Sequence, residues 1–156
     1  MRDLVIHLAG AFRNRVLPAH FFVNKITQLA GPYFRYEEEV LYRALHDDSL
    51  TEAQASRLLS NHDHAIIAIR QIMSLSNKNK LTDQEADDGA GCAQSLINEL
   101  TECDGLSLMI ERLPDQSILE VFNARRHASA AALDLLQWAG TIRPPRQWQV
   151  DASVVS

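Results

Sequence analysis

Apolar residues recur along this chain close to every 3.6 positions, and no run alternates with a period of two. The pattern predicts an all-α fold. The first amphipathic segment covers about residues 4–17, with Leu4, Val5, Leu8, Ala11, Phe12 and Val16 on one face, and Pro18 ends or kinks it. A second runs from about Pro18 to Ala30 through Phe22, Val23, Ile26 and Leu29. Gly31-Pro32 punctuates the chain, and a third helix is expected from Pro32 to about His46, because proline suits a first helical turn. Thr51 with Gln54 and Thr82 with Glu85 have capping-box spacing. They open helices expected to reach about Leu75 and about Leu113, the second bent near Asp104-Gly105. The last helix is expected from Pro114-Asp115 to about Ala139, with Gly140 as its terminator. Short links between long amphipathic helices favour antiparallel neighbours. The expected architecture is an antiparallel four-helix bundle with a short additional N-terminal helix over residues 1–140. An extended tail follows over 141–156, with Trp148 as its anchor.

Three polar residues interrupt the apolar stripes. In the helix from Pro32, positions 33, 34, 37, 40, 41, 44 and 45 share a face, and Glu37 is its charged member; Glu38 and Glu39 fall progressively off it. In the next helix His62 stands among Leu58, Leu59, Ala65 and Ile66, with Asp63 and His64 off the stripe. In the last, Arg125 stands among Val121, Phe122, Ala128 and Ala132. Buried charges arrive with partners because an unpaired one costs several kcal/mol. Three inward polar groups on three helices are therefore expected to meet. Two kinds of meeting are open: carboxylate and imidazole ligands around a metal, or a metal-free network with Glu37 paired to Arg125 and His62 nearby.

Composition narrows the classes. Hydrophobic residues make up 46% and charged residues 22%, ordinary values for a globular chain of 156 residues. The net charge of −5 and scattered basic residues give no footprint for nucleic acid. No apolar run reaches the ~20 residues of a membrane span, and no signal-peptide core is seen, so a cytoplasmic location is expected. Cys92 and Cys103 are eleven positions apart, too far for a disulfide on one helix, and read as buried thiols. The acidic first turn Asp83, Glu85, Asp87 and Asp88 is explained by the helix dipole.

The segment Tyr33-Phe34-Arg35-Tyr36-Glu37-Glu38-Glu39-Val40-Leu41-Tyr42, followed by Leu58-Leu59-Ser60-Asn61-His62-Asp63-His64, resembles the signature of hemerythrin-like (HHE cation-binding) proteins. The resemblance covers about residues 31–73. It implies a four-helix bundle, a non-heme iron centre, and a role in sensing or handling oxygen or nitric oxide. It places Glu37 at the bridging glutamate and His62 at a ligand histidine, with Tyr33 where the signature has its own histidine. Ile66 stands where a second ligand is expected after His62, and Ala132 stands five residues after His127. Only His7 could answer for a first-helix ligand.

Three functions follow. One is a hemerythrin-like protein with Glu37 and His62 as metal ligands, Tyr33 beside the cofactor, and oxygen, nitric oxide or a small organic molecule as ligand. The second is a metal-free bundle enzyme in which Glu37 and His62 form an acid–base pair and Arg125 stabilises an anion. The third is a non-catalytic regulatory or interaction module, with homodimerisation through an outer apolar patch. No nucleic-acid or membrane partner is expected.

Overall fold

Thr51 and Thr82 start the two longest helices as their spacing predicts. The Thr51 hydroxyl accepts the Gln54 N–H at 3.3 Å while the Gln54 side chain accepts the Thr51 N–H at 2.9 Å. Thr82 and Glu85 exchange the same pair of bonds. The computed structural model describes residues 1–15, 19–46, 50–104 and 106–143, the side chains of 100–104 and 107 lying outside that description. The described part is all-helical: α1 (Arg2–Arg13), α2 (Ala19–Tyr36), a π-helical segment (Glu37–Leu41), α3 (Tyr42–His46), α4 (Glu52–Ser76), α5 (Asp83–Asp104), α6 (Ser107–Ile110), α7 (Asp115–Ala131) and α8 (Leu135–Thr141).

Two expected boundaries move. Gly31-Pro32 does not separate two helices, since α2 runs straight through it. Pro32 has no N–H for the Gln28 carbonyl, a loss of about 3 kcal/mol in a free helix. Tertiary packing overrides it, because Val23, Ile26, Ala30 and Phe34 of this one helix are all buried in the core. Gly31 serves a contact, not a break. A Cβ there would meet the Leu133 carbonyl oxygen and approach Asp134 C to 2.6 Å and Leu135 N to 2.7 Å.

The last expected helix is in fact two. Ala132 takes the left-handed conformation (φ 52°, ψ 24°) and ends α7. Asp134 and Gln137 then form a further capping box and open α8. Gly140 consequently lies inside α8, and the boundary expected at 140 falls within a helix. Arg143, expected in the tail, is buried. Trp148 lies outside the described residues.

The apolar side chains form two clusters. The larger joins Leu8 and Phe12 of α1, Ile26 and Phe34 of α2, Ile69 and Ile72 of α4, Leu96 of α5, and Trp138 of α8. The smaller joins Leu41, Tyr42, Leu45, Leu58, Leu113 and Val121. Helix α4 threads both, with Leu58 in the smaller cluster and Ala65 in the larger. His62 falls at the seam. No helix among the described residues is long and apolar enough to cross a membrane.

A test of the close helix contact is Gly31→Ala. The added methyl must displace backbone at 133–135, so a loss of about 1–3 kcal/mol is expected in urea denaturation.

Candidate functional site

Five residues before Tyr42 lies Glu37. In an α-helix these two would point about 140° apart. The π segment widens the turn between them, the Tyr42 N–H bonding to the Glu37 carbonyl, and this brings both side chains toward α4. There they meet His62. Its Nε2 lies 3.0 Å from Glu37 Oε2 and 3.0 Å from the Tyr42 hydroxyl, which donates to Glu37 Oε2 over 3.4 Å. Its Nδ1 lies 2.9 Å from Glu38 Oε1. Phe34 stacks on the imidazole with ring centroids 3.9 Å apart and planes 6° from parallel. A ring holding a carboxylate on each nitrogen satisfies both as the imidazolium, donating twice.

The far side of Glu38 is held by Arg143. Nε and the NH2 nitrogen donate to its two oxygens at 2.9 and 2.8 Å, a bidentate pair. The NH1 nitrogen lies 2.5 Å from Asp63 Oδ1. The guanidinium also sits over the Trp138 ring, 5.6 Å from its centroid. The result is a chain of charges: Glu37, His62, Glu38, Arg143, Asp63. Glu37 is 0% exposed and His62 1%.

Burial opposes the ionisation of Glu38, but the hydrogen bonds from His62 and Arg143, together with their charges, hold its carboxyl below the usual range. Burial likewise disfavours the Arg143 cation, and its hydrogen bond and charge interaction with Glu38, then Asp63, raise its pKa nonetheless. Three carboxylates face two cations, so one negative charge is in excess. Glu37 Oε1 has no hydrogen-bond partner among the described residues. Neither has Glu99 Oε2 on α5, where burial pushes the Glu99 carboxyl up to about 7 against the pull of His62.

Glu37 and His62 thus come together in the core, as their stripes predict. Arg125 does not join them. It is exposed on α7, with its guanidinium 5.9 Å from the Tyr36 ring centroid. The stripe of α7 is rotated so that Val121 and Ala128 face inward and Arg125 falls at the edge. Tyr33 is half-buried in an edge-to-face pair with Tyr36 and lies with Arg125 on a groove between α2 and α7. His7 is exposed and stacks on Phe22. The half-buried Cys92 thiol donates to Gln71 and is pushed up by burial and by Asp88; the Cys103 side chain lies outside the described residues.

Glu38, Tyr42, Asp63 and Arg143 were not expected in the site. A regular helical wheel moves Glu38 and Tyr42 off the face of Glu37; the π turn returns Tyr42, while Glu38 reaches the other nitrogen of His62 from beside Glu37. Asp63 is buried because the segment after α8 covers its side of α4. The run of three glutamates beside an aromatic pair was the available signal for Glu38.

No family model, no curated protein and no solved structure matches the chain.

The donor set does not fit a di-iron centre. Both nitrogens of His62 are taken by carboxylates, and an arginine occupies the remaining side of Glu38. Among the described residues no three His, Cys, Asp or Glu side chains are grouped to hold a metal ion.

Two variants test the electrostatics. Arg143→Ala leaves Glu38 and Asp63 buried without their cation, and unfolding free energy in urea is expected to fall by about 3–5 kcal/mol. Glu99 binds its proton more tightly folded than unfolded, so its contribution to stability is lost as pH rises from about 4.5 through about 7. Glu99→Gln mimics the protonated form. It is expected to raise the melting temperature at about pH 8 and leave it unchanged below about pH 4.5.

Proposed function

We propose that the chain is a metal-free hemerythrin-like bundle acting as a non-catalytic binding or regulatory module. In this reading the buried ion-pair chain stands where the resemblance implies iron. In it α1, α2, α4 and α5, each packed on two of the others, are the four bundle helices, and α7 lies outside that ring against α2 and its π continuation. The observation that carries the reading is the engagement of both His62 nitrogens by carboxylates at 2.9 and 3.0 Å, with Arg143 closing the outer side. Positive charge is already supplied there by the protein.

What weighs against the acid–base alternative is access. An acid or base must come within hydrogen-bond reach of its substrate, and neither the Glu37 carboxylate nor the His62 ring meets solvent. The network instead ties α2, α4 and the segment after α8 into one unit, leaving recognition to the outer surface.

Metal analysis of protein purified from iron-supplemented cells tests this, with Glu37→Ala alongside. The expected iron content is far below one ion per chain in both. Stoichiometric iron in the parent that disappears in Glu37→Ala would overturn the proposal in favour of iron binding at this site.

A further inference from the structure

Arg125 and Tyr33 share a different place from Glu37 and His62. They line a groove of about 590 Å³ between α2 and α7, within the range of small-molecule sites. Its α7 wall runs from Arg125 through Ser129 to Ala132, seven positions or about 10 Å along the helix. Its α2 wall carries Gln28, Leu29, Pro32, Tyr33 and Tyr36.

Several features make this a built surface. Tyr33 and Tyr36 are locked edge to face, with ring centroids 5.5 Å apart and planes at 89°. The Arg125 guanidinium lies over Tyr36, and among the described residues no carboxylate or hydrogen-bond acceptor pairs with it. Gln28 and Ser129 add polar residues to the lining. Leu29, 42% exposed, and Ala132 supply apolar surface. Ala132 is also held in a left-handed conformation (φ 52°), a strain of about 1–2 kcal/mol for a residue with a Cβ.

We infer that this groove binds a small organic carboxylate with an aromatic or aliphatic body, its carboxylate paired with Arg125 and its body laid on Tyr33 and Leu29. The charge of the ligand follows from the lining. Among the described residues Arg125 is the one charged residue of the wall, so a single negative charge is matched. A phosphate monoester brings nearly two negative charges and is usually met by several cations or N–H donors. The chain's net charge of −5 further disfavours multiply charged anions. A neutral ligand would leave the guanidinium unanswered. An arginine forked on a carboxylate while stacked on a tyrosine uses both of its recognition modes at once. The inference goes beyond the reading of the core and holds whether or not the buried network binds metal.

The test is amide-resolved NMR titration of the full chain with three monocarboxylates (benzoate, 3-phenylpropionate and hexanoate) and with 3-phenylpropionamide as the neutral partner. Saturable shifts are expected at Tyr33, Tyr36 and residues 125–132 with at least one acid. If 3-phenylpropionate is among those that bind, its amide is expected to bind at least about tenfold more weakly, about 1.4 kcal/mol. In Arg125→Gln, an exposed change whose folding the same spectra report, every binding acid should lose about that factor. The amide, where it binds, should be unaffected. Absence of saturable groove shifts with all three acids would overturn the inference. So would equal binding of 3-phenylpropionate and its amide, or undiminished acid binding by Arg125→Gln.

Discussion

An imidazolium removed from water must find fixed partners for both of its N–H groups, and this requirement organises the centre of the molecule. One carboxylate would leave a nitrogen unanswered, so two are used, from neighbouring positions 37 and 38. Two buried carboxylates on one cation leave excess negative charge, and Arg143 is brought in to meet it. Arg143 in turn has capacity beyond Glu38, which Asp63 takes up. Each added charge is explained by the one before it. Isolated ion pairs in a core are weak evidence for stability, since apolar residues of the same shape often do better. What the seam at His62 does is join α4 to the π continuation of α2 and to the chain after α8.

Much of the scaffold was legible in the sequence because it follows from local rules. Thr51, Gln54, Thr82 and Glu85 mark their helix starts through bonds made within four residues. Glu37 and His62 were legible because a polar group amid an apolar stripe is conspicuous at helical spacing. What was hidden depends on departures from that spacing or on distant chain. The π turn alters the phase by which Tyr42 is judged. Asp63 reads as a surface residue until residue 143 covers it. Gly31-Pro32 reads as a break by intrinsic preference, and only the approach of 133–135 reveals why a glycine stands there. Arg125 is the converse case, since it looked inward on an α7 wheel that sits slightly rotated in the fold.

The site divides into an inner and an outer part joined by a single peptide bond. Tyr36 floors the groove between α2 and α7, while Glu37, the next residue, is sealed in the core. Helix α2 also carries two irregularities close together, the proline at 32 and the π turn from 37. Each is costly by local preference and is retained through packing, the balance expected where a backbone is shaped for a purpose beyond stability.

The pairing of Glu38 with Arg143 spans 105 positions of sequence. During synthesis from the N-terminus, residues 37, 38, 62 and 63 emerge long before their cation does. Throughout that interval a nascent chain that docked α2 on α4 would bring Glu37 and Glu38 onto one imidazole without the arginine that meets Glu38. The growing polypeptide therefore has an electrostatic reason to keep those two helices apart. The Glu38–Arg143 pair can form only after residue 143 has left the ribosome.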